Sequence, residues 1–504
     1  MKIILAGYNL DFETIRGFQK IRPEAKDLTP ETISAAYARI SRSPKPVDAL
    51  RATARREVEK ARQSNQNIIF EMGHSSVAEH AVFNIDVLGV SRLLVEEIEK
   101  FRLCSYTEKS QRYVRLEGDF VIPAEIRGTP MEATFADIVH KQNTLYHELF
   151  EKLKPCIFEK HNELAADPAN RSMLEGWAKE DARYVISLAT ETQLGMTINA
   201  RNLELMLRRL AAHPLAEANE CSRKLYEATK DTAPSLIRYT ETTDYDRLTR
   251  RNLRDAVSTM MLQSEHDTAP MPAQLDEQDV SLVYATPDGD DRIVASLIHS
   301  SSDLPMSRCL QIVSSMDMHE KGSLIRTTLK HIKSYDPVLR EFENAELHFE
   351  LTISASCFAQ MKRHRMATIT CQDYDPALGA TIPPAVSEIG MTETFTGIIA
   401  ETEKTYDKIK RLIPHAAGYI LTNAHRRRVS MKINVRELYH IARLRGDTHA
   451  QWDIRKTAEQ MVELGKRAMP LTLMLAIGKD GFASLYNEVF ASEPASDADL
   501  SSKS

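Results

Sequence analysis

The feature that most constrains this chain is that it carries the same order of elements twice. The start, MKIILAGYN, reads as a short strand closed by Gly7 and Asn9, and SLVYATP from Ser281 reads as a second opening strand. A helical pattern begins at Thr29, with Pro30 in its first turn and Ile33, Ala36 and Ile40 behind it, and helix continues over 47–72. Ala81 to Leu88 alternates apolar and polar side chains, as a half-buried strand does. SRLLVEEIEKFRL then reads as helix, and long helical segments are expected over 131–163 and 200–231. In the second half RIVASLIHSS reads as helix, and AELHFELTIS is an alternating strand leading into SCFAQMKRHR.

The parallels extend to individual residues. FRLCSYTEKSQRYV, with Val121-Ile122-Pro123 downstream, matches HRMATITCQDYDPA, with Thr381-Ile382-Pro383 downstream. INARNLELMLRRL (198–210) matches INVRELYHIARLR (433–445). Two copies of one α+β unit follow. The expected organisation is a first copy over 1–240, a linker over 241–280, a second copy over 281–490 and a disordered polar tail over 491–504.

Composition limits the function classes. Among 504 residues, 65 basic side chains face 71 acidic ones, a net charge of −6 that gives no whole-protein case for nucleic-acid binding. Any anion site must be local. The six cysteines lie far apart with no C-x-x-C pair, which excludes a disulfide scaffold and the usual zinc ribbons and suits a reducing compartment. The apolar run Ile3–Ala6 is too short for a signal peptide, and nothing approaches 18 uninterrupted apolar residues. The expectation is a soluble, cytoplasmic protein without membrane contact or a bound metal.

Two clusters can carry chemistry. Arg363-His364-Arg365, at the expected end of a helix, offers two guanidiniums for bidentate bonds to phosphate oxygens and a ring that can stack. Its plain alternative is a solvated basic helix end. The first copy places Arg102, Ser105, Glu108, Ser110, Arg112 and Tyr113 within twelve residues; Ser110-Gln111-Arg112 suits a phosphate or the edge of a polar base, or is a polar loop with capping serines.

The spacing of both clusters resembles the flavin-dependent thymidylate synthases, whose motif runs Arg-His-Arg, then Ser, Glu, Ser-x-Arg-Tyr. The first copy keeps Arg102, Ser105, Glu108, Ser110, Arg112 and Tyr113 but has Lys100 and Phe101 in place of the first Arg and the His. The second keeps Arg363-His364-Arg365, with Thr368, Cys371, Asp373 and Asp375 where Ser, Glu, Ser and Arg belong. Upstream, the segment from Gly73 to Phe83 is similar to the family's G-H-x-[ST]-x-x-E-H-x-x-F. Downstream, Asn434-x-Arg436, Arg445 and Ala450-Gln-Trp-Asp resemble its closing segment. In the first copy Asn199-x-Arg201, Leu210 and Ala216-Glu-Ala-Asn stand at those places.

The resemblance implies two tandem copies of a fold with helices packed on a mainly antiparallel sheet. Family members are homotetramers whose sites form between subunits, so a homodimer of this chain would rebuild a pseudo-tetramer. The implied activity is transfer of a methylene from methylenetetrahydrofolate to carbon 5 of dUMP, followed by reduction to dTMP with FAD and NADPH. The implied dUMP contacts are Glu108, Ser110, Gln111, Arg112 and Arg183 from one side and Gln360, Arg363 and Arg445 from the other. Arg445 is the residue implied to stabilise enolate-like charge on the uracil ring, with Ser110 beside the reacting nucleotide. The implied FAD contacts are Ser41, His74, Ser76, Glu79, Asn199 and Arg201 from the first copy, and Arg363, His364, Arg365, Met366, Asn434, Arg436 and His440 from the second.

The losses sort by side. The first copy has Glu97, Lys100 and Leu210 where Gln360, Arg363 and Arg445 stand, and the second has Gly418 at the Arg183 position. Two complementary half-sites serving one composite site is the simplest account. Two other readings stay open: a flavoenzyme of the same fold acting on another pyrimidine nucleotide, motivated by Lys100, Phe101 and His440, and a non-catalytic nucleotide- or nucleic-acid-binding descendant. The basic run His425–Arg428 with Lys432 motivates the latter.

Overall fold

The computed structural model describes residues 1–18, 28–40, 43–264 and 278–491. Ser41 lies outside the described residues, as does the chain after 491 where the tail was expected. Strands β1 (Lys2–Tyr8), β2 (Val82–Ser91), β3 (Ser105–Glu108) and β4 (Glu191–Asn199) form one antiparallel sheet in the order β1-β2-β4-β3. Strands β5 (Val280–Ala285), β6 (Glu346–Ser354), β7 (Thr368–Cys371) and β8 (Arg426–Asn434) repeat that order as β5-β6-β8-β7.

Alternation drives both central strands. Phe83, Ile85 and Val87 of β2, and Leu347, Phe349, Leu351 and Ile353 of β6, are buried, each contributing roughly 1.5–3 kcal/mol of apolar transfer. The copies differ by one residue. In β6, nine residues face nine of β8 from Glu346↔Asn434 to Ser354↔Arg426, whereas ten residues of β2 face nine of β4. The register shifts between Leu88 and Val90, where Gly89 has φ +67°, a left-handed conformation that a bulge demands. A side chain there would also start 3.3 Å from the Met1 nitrogen.

Each central strand ends in a serine that caps the next helix. Ser91 Oγ accepts from Leu94 N at 3.0 Å to start Arg92–Ile98, and Ser354 Oγ accepts from Cys357 N at 2.9 Å to start Ala355–Met361. Each serine hydroxyl in turn donates to a buried carboxylate, Glu217 or Asp453, at 2.6 Å. These acids are the second residues of helices Ala216–Thr229 and Trp452–Ala468. The sequence match of Ala216 with Ala450 is therefore off by two: Glu217 occupies the place of Asp453.

The chain divides into two compact units that do not follow the expected boundaries. One is Met1–Met271 with Ile382–Asn423, the other Pro272–Thr381 with Ala424–Ser504. Residues 382–423 of the second repeat thus pack in the first unit. There the helix Thr392–Leu412 lies on Met131–Lys160, and Gln142 Nε2 donates to Thr402 Oγ1 at 2.8 Å and to the Ile420 carbonyl at 3.1 Å. Ser187 bridges Thr422, its repeat equivalent, and the flanking bonds Leu188 N to Leu421 O (2.7 Å) and Asn423 N to Ile186 O (3.0 Å) are mates of one another. The repeats pair through this ribbon about a local two-fold, and so the segment cannot leave with its own sheet.

Within the expected linker 241–280, Asp244–Ser264 is helical and its residues over 244–261 are mostly exposed. Two further expectations are corrected. The 47–72 helix breaks at Glu57, and the 200–231 helix is two helices parted before Pro214 can clash with a helical carbonyl. Among the described residues no helix is long and apolar enough to cross a membrane.

Candidate functional site

In the first unit, β3 delivers Glu108 and a loop of Ser110, Gln111 and Arg112. Ser110 Oγ accepts from Arg112 N at 3.1 Å, fixing the turn. The Arg112 guanidinium is ion-paired with Glu180, on the helix Arg171–Ala182. Arg183, at the end of that helix, is buried; burial pulls its pKa down, Tyr184 and Glu180 oppose this, and the charges of Arg112 and Arg92 push the same way as burial. Arg92 lies 3.8 Å from Glu108 and 3.4 Å from Glu96. Three arginines whose charges bear on one another is an arrangement that gains from an anion.

Gln111 is buried between the loop and the second repeat's segment. Asn423 Nδ2 donates both to Gln111 Oε1 and to the Arg183 carbonyl, each at 3.0 Å. Gln111 Nε2 has no hydrogen-bond partner among the described residues.

The remaining first-unit residues gather at the far end of β2 and β4. Val82 pairs with Asn199, whose Oδ1 caps Ala200–Ala211 by accepting from Asn202 N at 2.9 Å. Arg201 and Glu79 form a 2.5 Å ion pair, with His74 and Ser76 exposed beside them around the short helix Ser75–His80.

In the second unit the triplet is not helical: Ala355–Met361 ends before it, and Arg363-His364-Arg365 lies in successive turns. The reason is visible in the bonding, since His364 N reaches back only to Met361 O (3.1 Å) and Arg365 N to Arg363 O (3.0 Å). Turning places Arg363, Arg365 and Met366 at the surface and buries His364. His364 Nδ1 lies 3.0 Å from Glu437 Oε1, and Nε2 accepts from Arg445 Nε at 3.1 Å. Arg445 Nη2 also donates to the Gln360 carbonyl at 3.2 Å. The Gln360 side chain is buried, and neither amide atom has a hydrogen-bond partner among the described residues.

Asn434 caps Val435–Arg445 by accepting from Glu437 N at 2.8 Å, and Arg436 donates to Val338 O (2.9 Å) and Glu343 (2.8 Å). Both asparagines of the N-x-R pairs are thus helix caps, and both arginines meet carboxylates. His440 stands edge-on to His364 with ring centroids 5.6 Å apart. His364, Glu437 and His440 bring ligand-type atoms within 4.8 Å, but Glu437 and Arg445 already engage both His364 nitrogens, which is poor ground for a cation.

The vacated positions are filled. In the first repeat Glu97 bonds Lys100 at 2.6 Å and lies 3.4 Å from His213; burial raises the Glu97 pKa, but those partners overcome it and hold the carboxyl at about 2. In the second, Tyr374 stands where Gln111 does. Arg427 is sandwiched between the Tyr374 and Phe358 rings at 4.3 and 4.8 Å and donates to the Gln372 carbonyl at 2.8 and 2.6 Å. Two other members of this basic group are ion-paired, Arg426 with Asp279 and Lys432 with Glu346 at 2.6 Å.

Asn423, Glu437 and Glu180 were not singled out from sequence, and Arg427 was noted only within a basic run, not as the partner of two rings. Only Glu437 carried a signal, three residues after a capping asparagine on the same helix as Arg445.

Each unit thus holds one four-stranded antiparallel sheet of the same strand order, the first with Arg92, Arg112 and Arg183 close to the nucleotide-type loop and the second with Arg445 held by an imidazole, which defines a class of duplicated α+β proteins. The thymidylate synthase complementing protein family model, Thy1, matches residues 25–235 and again 281–471. A flavin-dependent thymidylate synthase of Clostridium tetani is 30% identical over 213 residues, 42% of this chain and 82% of that one. The chain belongs to the thymidylate synthase complementing protein family and carries two tandem copies of its fold. Over 477 residues it is 23% identical to a UPF0159 protein of Thermoplasma acidophilum, covering 86% of this chain and 93% of that one. A flavin-dependent thymidylate synthase, ThyX, from Helicobacter pylori, solved with FAD and dUMP, is 18% identical, with 48% of this chain and 100% of that one covered at a TM-score of 0.28.

Proposed function

We propose that the protein is a flavin-dependent thymidylate synthase that makes dTMP from dUMP with methylenetetrahydrofolate and NADPH, pooling the retained half of each repeat into one site. A contrast carries the reading. Gln111 and Gln360 are buried with amide atoms that lack hydrogen-bond partners among the described residues, while the equivalent places, around Glu97 and around Tyr374, are closed by ion pairs or a stacked guanidinium. A buried polar atom without a partner costs about 1–3 kcal/mol, so such atoms persist where a ligand satisfies them.

In this reading Ser110, Arg112 and Arg183 hold the phosphate or ring edge of dUMP. Arg445, half-buried and oriented by His364 and the Gln360 carbonyl, stabilises negative charge developing on the ring, a task for a fixed, preorganised cation. Among the described residues no histidine bonds Ser110, whose hydroxyl instead accepts from Arg112 N, so in this reading it binds rather than attacks. The surface groups Arg363, Arg365 and Met366, with exposed His74 and Ser76, fit the phosphates and rings of FAD, whose role is to deliver the hydride that NADPH supplies. The chain would act in the cytoplasm as a homodimer equivalent to a four-repeat assembly.

Internal pairing of Arg426, Arg427 and Lys432 speaks against the nucleic-acid reading. The test is the visible spectrum of the purified protein, followed anaerobically with NADPH, with and without dUMP, and then a dTMP assay. The proposal expects flavin bands that bleach faster with dUMP, and dTMP as product. A colourless protein that FAD does not reconstitute would overturn it, and a flavoprotein that consumes another pyrimidine nucleotide would redirect it.

A further inference from the structure

The hydrogen bonds around Gln111 determine which way its amide points. The Arg183 main-chain carbonyl can only accept, so the Asn423 atom 3.0 Å from it must be the amide nitrogen. That same nitrogen lies 3.0 Å from the end of Gln111 and must donate there too, so Gln111 turns its oxygen toward Asn423. Its NH2 group then faces away. Buried in a loop beside Ser110 and Arg112, it meets no protein acceptor among the described residues.

We infer that Asn423, contributed by the second repeat, sets the polarity of the first repeat's loop: it obliges Gln111 to present a hydrogen-bond donor, so the ligand group seated there is an acceptor oxygen. The inference rests on reading this loop as the nucleotide loop. Pyrimidine nucleotides offer such oxygens in two places, the phosphate and the ring carbonyls. A ligand edge that presents an N–H at this position is rejected, because two donors would face each other without water between them.

The position explains a feature of the fold. At Asn423 the first repeat has Leu188, its ribbon equivalent, which has no amide to give. Only one of the two ribbon mates can orient a loop, and it serves the loop that has kept its Ser-x-Arg sequence. In the second repeat the equivalent place is taken by Tyr374, which needs no such partner because Arg427 stacks on it.

The experiment compares dUMP affinity, by calorimetry on the full-length protein, in wild type, Gln111→Glu, Gln111→Met and Asn423→Ala. Gln111→Glu keeps an oxygen for Asn423 and removes the ligand-facing donor; Gln111→Met is neutral and removes both. Each should weaken dUMP by about ten-fold or more, the worth of one buried hydrogen bond with its desolvation. Asn423→Ala should weaken it by a few-fold through freedom of the amide, with Gln111 intact. Gln111→Glu should melt with wild type, which separates loss of the donor from loss of the fold. Inorganic phosphate as competitor distinguishes the sources: if its affinity falls in Gln111→Met the acceptor is the phosphate, and if it holds while dUMP weakens the acceptor is a ring carbonyl. Wild-type affinity in Gln111→Met would overturn the inference, even if Gln111→Glu weakened binding, since charge alone would then explain it. If wild type ignores dUMP but binds another nucleotide that Gln111→Met loses, the synthase reading falls and this inference stands. Binding of no nucleotide or phosphate would overturn both.

Discussion

Arg445 donates from Nε to Nε2 of His364 at 3.1 Å, and the opposite ring nitrogen faces Glu437 at 3.0 Å. Because a guanidinium can only donate, the imidazole must carry its proton on Nδ1, toward the carboxylate. Glu437, His364 and Arg445 form one directional chain in which the acid fixes the tautomer and the tautomer fixes the cation.

Breaking the first link should therefore disturb the last. Glu437→Ala leaves the buried Nδ1–H without its acceptor and permits the other tautomer, whose Nε2–H would oppose Arg445. Turnover is expected to fall about ten- to hundred-fold through misplacement of Arg445, while Glu437→Gln, which keeps an oxygen in place, retains most of it. Steady-state kinetics with both variants checks this; equal loss in the two would show that charge, not orientation, matters.

The same chain predicts acid sensitivity. Burial lowers the His364 pKa, the bond to Glu437 opposes this, and Arg445 adds to the lowering; burial also lowers His440 beside it. A histidine whose folded pKa is depressed is protonated first in the unfolded chain. Stability is then full above the ordinary value near 6.5 and is lost as pH falls from there toward the folded value. Thermal melts between about pH 7.5 and 5 should show this loss, and His364→Gln should flatten part of it, leaving the share that belongs to His440.

Arg427→Ala should lower stability by roughly 1–3 kcal/mol through loss of stacking on Tyr374 and Phe358 and of two bonds to Gln372 O. It should not create a second nucleotide site, since Asp373 and Asp375 stand where the serine and arginine would be needed. Titration should give one dUMP per chain before and after. Two per chain in the variant would mean that the second repeat's loop is merely plugged rather than rebuilt.

How far the sequence reaches depends on distance along the chain. Strands β1, β2, β5 and β6 follow from local pattern, because period is decided within a few residues, whereas β3, β4, β7 and β8, the strand order and the capping roles of Asn199 and Asn434 emerge only in the fold. The helix Asp244–Ser264 inside the expected linker escapes a sequence reading because its charged, exposed residues resemble a loop by composition. The triplet's turns failed by three residues, within the usual fraying of a helix end. Asn423 lies 312 residues from Gln111, and nothing in either neighbourhood announces the other. That residues 382–423 of the second copy pack in the first unit is hidden for the same reason: the ribbon at Ser187 and Thr422 is a tertiary pairing between repeats.

The central claim is that the halves retained by the two repeats serve one nucleotide. Arg183 lies in one unit and Arg445 in the other, so the direct measurement is the dUMP affinity of Arg183→Ala and Arg445→Ala, each full-length and folded by melting. The account predicts that either change alone weakens binding about ten-fold or more, with stoichiometry in wild type of one per chain. Wild-type affinity in either variant would contradict it.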